Sequence, residues 1–197
     1  MSTDLPSANA TPSAWKRIAR RLIILVVVIV MVGVAAAFFN YETYGPSNSN
    51  AKSTFSQYGF TMQYPTGAKF NSSGTYGGTA NSGGGEVSWN WDNGNSLLTV
   101  VWINGSGYNY TSAFQGTVQN MQKYFSNVST IDSGNVTVNN QIWQYQTYEF
   151  TANGNIFYSS EAINFYQSEG RAYLIQYTNP NSGTLSALEA WIETFRG

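Results

Sequence analysis

Leu22 to Phe39, LIILVVVIVMVGVAAAFF, is an apolar run without a single charge, and it divides the chain before any other feature does. A helix rising about 1.5 Å per residue carries such a run roughly 27 Å, close to the hydrocarbon thickness of a bilayer. Lys16, Arg17, Arg20 and Arg21 stand directly before it, and no positive charge follows until Lys52. Basic residues remain on the cytoplasmic side of a span, so the run reads as a single-pass plasma-membrane anchor with its N-terminus inside the cell. The expected division is a cytoplasmic tail over 1–21, a transmembrane helix over 22–39, a linker over 40–53 and an extracytoplasmic domain over 54–197. Ala35-Ala36-Ala37 also offers a small-residue cleavage site behind an apolar core at Leu22 to Val34, so a cleaved signal peptide is the alternative.

What lies beyond the anchor is poor in charge. Charged residues make up 10% of the chain, well under the usual quarter, so its polar surface must come from Asn, Gln, Ser, Thr and Tyr. Past Asn40 five basic residues face nine acidic ones, which leaves no basic patch for a phosphate backbone and argues against nucleic-acid binding. The chain has neither cysteine nor histidine. That removes disulfides, thiolate nucleophiles, zinc–thiolate sites and the commonest general base. Neither a metal site nor a cofactor is expected. A surface of neutral amides keeps its hydrogen bonds when carboxylates protonate, which suits an acidic exterior.

Periodicity gives the elements of the domain. Phe60 to Tyr64 alternates apolar and polar as a strand does, and Pro65 ends it. Asn71 to Gly85, rich in Gly, Ser and Asn, reads as a surface loop. Asp92-Asn93-Gly94-Asn95 is a hairpin turn between apolar runs, and pairing Asp92 with Asn95 sets Trp89 opposite Leu98 and Val87 opposite Val100. Over Thr111 to Asn127 the period becomes helical, with Phe114, Val118, Met121 and Phe125 forming one stripe. A connecting piece containing Asn135-Val136-Thr137-Val138 leads to three strands near 141–151, 155–166 and 171–178. A last helix opens at Ser182 or Gly183, with Asn181 or Ser182 as its cap and Leu185, Leu188, Ile192 and Phe195 as its stripe.

Turns at Asn153-Gly154 and Ser168-Glu169-Gly170 fix the register of that meander. Tyr166 then faces Arg171, while Phe150 faces Phe157 and Gln144 faces Ile163 on one face of the sheet. The opposite face holds Trp143, Tyr145, Tyr158, Ala162, Tyr166, Tyr173, Ile175 and Tyr177. With both faces largely apolar, one helix is expected on each; Trp143, Tyr145, Tyr158, Tyr166, Tyr173 and Tyr177 form a candidate aromatic binding face if that side is left open.

The opening YGFTMQYPTG, the closing GRAYLIQYT with a helix ending WIETFR, and the element order between them resemble the PsbP-like domains. These are named after the extrinsic photosystem II subunit and related to the Mog1 fold and to bacterial and archaeal lipoproteins or anchored proteins. The likeness covers about residues 55–196. It implies an α+β fold, an antiparallel sheet of about six strands sandwiched by two helices, and a role in binding or assembly. The photosystem-docking termini are not matched, so no photosynthetic role follows from it.

Catalysis without histidine would need paired carboxylates. The most suggestive pair, Glu149 and Glu161, sits on adjacent strands, but the register above points them to opposite sides of the sheet. The expectation is therefore a non-catalytic domain that binds or assembles with cell-envelope partners, protein or glycan, beside the membrane that holds it. Two alternatives remain: a subunit of a surface filament or adhesive layer packed through its apolar N-terminal helix, and a carboxylate-based hydrolase. Asn71, Asn104, Asn109, Asn127 and Asn135 are candidate glycosylation sites, each in an Asn-X-Ser/Thr context on the exterior side.

Overall fold

Two residues with positive φ, Tyr58 at 55° and Gly59 at 83°, make the first turn of the domain. They join β1 (Lys52–Gln57) to β2 (Phe60–Pro65), with Gln57 paired to Phe60. Left-handed geometry at both central positions matches the natural twist of a hairpin. The computed structural model describes residues 52–76, 83–105 and 109–197, with 71–76 traced as backbone alone. The anchor expected over 22–39, the tail before it and most of the linker lie outside the described residues. Among the described residues no helix is long and apolar enough to cross a membrane.

The β1–β2 hairpin is a separate two-stranded sheet beside a seven-stranded antiparallel one. The larger sheet contains β3 (Lys69–Tyr76), β4 (Gly84–Trp91), β5 (Ser96–Asn104), β6 (Ser126–Val138), β7 (Gln141–Ala152), β8 (Asn155–Tyr166) and β9 (Arg171–Asn179). Their spatial order is β3-β4-β5-β9-β8-β7-β6. After β5 the chain leaves through α1 (Tyr110–Tyr124), reaches the far edge at β6, and meanders back until β9 pairs with β5. A final helix, α2 (Thr184–Ile192), follows β9.

Each helix covers one face. Ala113, Phe114 and Met121 of α1 pack on Leu97, Val101, Tyr148, Phe150, Ile163 and Leu174. Leu188 and Ile192 of α2, together with Phe195 and the hairpin residues Phe55, Phe60 and Met62, close the other face over Trp89, Trp102, Trp143 and Tyr173. Asn109 caps α1 by accepting a hydrogen bond from the Ser112 N–H at 3.1 Å. The N-cap of α2 is Gly183, with no side-chain cap bond, so neither Asn181 nor Ser182 plays the expected part. Arg171, buried at the start of β9, ties hairpin to sheet. Its Nη1 donates to the Tyr58 carbonyl at 2.7 Å and its Nε to Asn104 Oδ1 at 2.7 Å.

Three sequence expectations need correction. The stretch Asn71 to Gly85 is not wholly loop: β3 runs to Tyr76 and β4 begins at Gly84, the backbone of β3 being held by its ladder to β4. The connecting piece at 135–138 is the end of a thirteen-residue edge strand, β6, interrupted by two register shifts. The main sheet accordingly has seven strands, not about six, and the hairpin adds two more outside it.

Candidate functional site

At one end of the α2 face, five pieces of chain line an open-mouthed cavity of about 430 Å³. Lys52 and Pro65 come from the two ends of the hairpin, Trp91 and Asp92 from the end of β4 and the turn after it, and Tyr177 and Asn179 from the end of β9. Asn181 follows in the loop, and α2 contributes Thr184, Ala187, Ala190 and Trp191. Alanines on that helix keep the cavity open where larger side chains would fill it. The volume falls in the range of small-molecule pockets, about 300–1,000 Å³.

Its wall is aromatic. Trp91 stacks on Tyr177 with centroids 5.8 Å apart and meets Trp191 edge-on at 6.1 Å. Lys52 places its ammonium 5.1 Å from the Trp191 ring centroid, a cation–π contact. Trp91 is buried, whereas Tyr177 and Trp191 are half-buried.

The polar rim is preorganised. Asp92, Asn93 and Gly94 occupy left-handed backbone in succession, at φ 54°, 55° and 84°. The Asn95 N–H closes this turn on the Asp92 carbonyl at 3.1 Å. A non-glycine residue held there stores strain, on the order of 1 kcal/mol or more, less for Asp and Asn than for most. Ser96 Oγ donates to Asp92 Oδ2 at 2.8 Å, Asn179 Nδ2 donates to Ser96 Oγ at 2.7 Å, and the Asn181 N–H donates to Asn179 Oδ1 at 2.8 Å. Burial holds the Tyr177 phenol above its ordinary value, against hydrogen bonds to Ser96 and Asn179. Asp92 and Asn181 are exposed members of the lining, at the mouth of the cavity.

A second polar cluster lies beneath α1. Ser88, Thr99, Gln176, Glu161 and Gln146 are cross-strand neighbours in one row from β4 to β7. This row separates the apolar group around Leu97, Met121 and Phe150 from that around Val101, Phe114 and Ile163. Glu161 is fully buried; Tyr148 lies against one carboxyl oxygen and Thr117 Oγ1 donates to the other at 3.1 Å. Burial pushes its carboxyl up to about 8, outweighing the two hydrogen bonds that lower it. Glu86, on the same face one row away beside Val101, is pushed up to about 8 by burial as well. Glu161 thus serves as a hydrogen-bonding strut within a face that is not purely apolar.

Glu149 faces Tyr158 while Glu161 faces Gln146, so the two carboxyls point to opposite sides of the sheet. The aromatic face is not open: Trp143 and Tyr173 are buried, packed edge-on against Phe195 from beyond α2. Tyr166 packs into the same group, Tyr145 donates to Asp132 Oδ2 at 3.1 Å, and Tyr158 lies half-buried beside Glu149. Of the six aromatic residues expected there, Tyr177 alone lines the cavity. Trp91 and Trp191, which make the wall, come from the end of β4 and from α2, and no sequence expectation singled out either one. The one usable sign was a tryptophan directly before Asp-Asn-Gly.

The candidate glycosylation sites differ in access. Asn109, Asn127 and Asn135 are exposed, whereas the Asn104 Nδ2 is buried and its Oδ1 is held by Arg171. The Asn71 side chain lies outside the described residues.

No protein-family model matches the chain, and no curated protein matches it in sequence. The solution structure of cyanobacterial PsbP, CyanoP, from Synechocystis sp. PCC 6803 is similar with a TM-score of 0.54 at 13% identity, over 78% of this chain and 96% of that one. Weaker likenesses are to PA94 of Pseudomonas aeruginosa, with a TM-score of 0.38 at 8% identity over 73% of this chain and 94% of that one. LpqN, involved in cell envelope biogenesis of Mycobacterium tuberculosis, gives 0.35 at 11% identity over 57% and 64%. The strand order, the helix on each face and the likeness to CyanoP together give the described domain a PsbP-like fold.

Proposed function

We propose that this chain is a single-pass membrane protein that holds its PsbP-like domain outside the plasma membrane, where the domain binds a cell-envelope partner without catalysing a reaction. The observation that carries the binding role is the cavity walled by Trp91, Tyr177 and Trp191, whose rim carboxylate is fixed by Ser96 and a left-handed turn. Strain held in place by surrounding structure is a mark of functional sites. The chemistry available there is recognition: one carboxylate, amides, a lysine and aromatic rings. The membrane placement is supported by the apolar run at 22–39 and the four basic residues just before it.

A cysteine-free chain gives a clean test of topology. Ser2→Cys and Gln122→Cys variants are treated with a membrane-impermeant maleimide on intact cells. Labelling of position 122 on intact cells, with position 2 reached only after lysis, is expected. The reverse pattern, or an intact chain in the soluble fraction, contradicts the proposal.

A further inference from the structure

We infer that the cavity between Trp91 and Trp191 takes a neutral saccharide unit, an inference that rests on the binding role above and names its ligand. A pyranose presents a face of C–H groups and a rim of hydroxyls. The cavity offers the complement of both. Trp91, Tyr177 and Trp191 supply an aromatic wall of low conformational entropy for the C–H face. Asp92 and Asn181, at its mouth, bring a carboxylate and an amide that pair with hydroxyls as acceptors and donors. Asp92 is already oriented by Ser96 at 2.8 Å, so little ordering accompanies capture of a hydroxyl.

Charge and size decide against other ligands. Lys52 and Asp92 are the two charged residues of the lining and cancel, which favours an uncharged ligand over an anion or a cation. A concavity of about 430 Å³ suits a compact group rather than the broad surface that a stable protein partner covers, upwards of about 1,000 Å² in total.

The test uses the full chain in lipid nanodiscs. It is titrated with three neutral hexasaccharides, of β-1,4-glucose, β-1,4-N-acetylglucosamine and α-1,6-mannose, and with anionic hexagalacturonate. Binding is read by saturation transfer to the sugar C–H protons and by tryptophan emission. Saturable binding of at least one neutral hexasaccharide is expected, weakened about tenfold in Trp191→Ala and about threefold or more in Asn181→Ala, with hexagalacturonate weaker than the neutral sugars. Asn181 is exposed, so its variant retains the fold even if the tryptophan variant does not. Absence of a response from all three neutral sugars, a response indifferent to both substitutions, or tighter binding of hexagalacturonate overturns the inference. A photocrosslinker at position 181 on intact cells separates the two levels. A protein adduct there, with no sugar binding, overturns the saccharide and leaves the binding role standing; no adduct and no sugar binding overturns both.

Discussion

The phenolic oxygen of Tyr148 lies 2.5 Å from Oε1 of Glu161 and 3.0 Å from Oε1 of Gln146, all beneath α1. A protonated Glu161 donates to Tyr148, whose hydroxyl then donates to Gln146, so these three groups are mutually satisfied while the carboxyl is neutral. Deprotonation would leave a buried charge with hydrogen bonds from Tyr148 and Thr117 but no cation opposite it among the described residues. Burial outweighs those bonds and holds the carboxyl at about 8.

Stability therefore depends on pH in an unusual direction. Glu161 and Glu86 both have folded-state values raised from 4.5 to about 8, so the folded chain binds more protons than the unfolded one between those limits. Their contribution is fully present below about pH 4.5, is lost as pH rises through about 8, and stays lost above it. Shifts of this size are worth on the order of a few kcal/mol per group. Thermal melts are expected to give a higher Tm at pH 4 than at pH 9, with a shallower difference in Glu161→Gln. A protein more stable at pH 9 contradicts this. The acidic habitat suggested by the neutral amide surface would find such a fold well suited.

Two hydroxyls at this row, one on β5 and one on α1 above it, carry opposite consequences. Thr99 Oγ1 is buried without a hydrogen-bond partner among the described residues, whereas Thr117 Oγ1 donates to Glu161. Removing an unsatisfied buried hydroxyl is neutral or favourable, while removing a bonded one costs about 1–2 kcal/mol. Urea denaturation should show Thr99→Val at or above the parent's stability and Thr117→Val below it.

Arg171 anchors the hairpin through the Tyr58 carbonyl, and it also donates to Tyr173 Oη at 3.1 Å, which in turn donates to Glu169 at 2.9 Å. Substitution by Met strands three acceptors at once, the part-buried Tyr58 carbonyl and Asn104 Oδ1 and the buried Tyr173 Oη, at a cost of about 2–4 kcal/mol. The measurement is the urea midpoint, with amide exchange expected to rise first in β1 and β2.

Glycopeptide mapping of the native protein should leave Asn104 unmodified. Its Nδ2, the atom a glycan would join, is buried, and Arg171 Nε holds its Oδ1 at 2.7 Å. A glycan at Asn104 would require β5 to be modified before it docks.

Much of the sheet was legible because turns fix register. Asn153 and Gly154 both adopt positive φ, and the pairs Phe150–Phe157, Gln144–Ile163 and Tyr166–Arg171 follow as expected. The Asp92–Asn95 turn likewise sets Trp89 against Leu98. Edge strands escaped notice for a physical reason: most β6 residues are exposed on both faces, so no alternation of polarity marks the strand. Periodicity could assign Trp143 and Tyr173 to one face but not say what lies on it. Phe60 and Phe195 arrive there from distant parts of the chain. The cavity was hidden for the same reason, since Trp91 and Trp191 are one hundred positions apart in sequence and meet only when α2 docks.

The binding role is tested most directly by photocrosslinking on intact cells, with the reactive side chain placed at Asn181 beside the cavity or at Gln122, exposed on α1. Adducts concentrated at position 181 and lost when Trp191→Ala is added are the predicted result. Equal adducts at both positions, or none at 181, would contradict a binding site between Trp91 and Trp191.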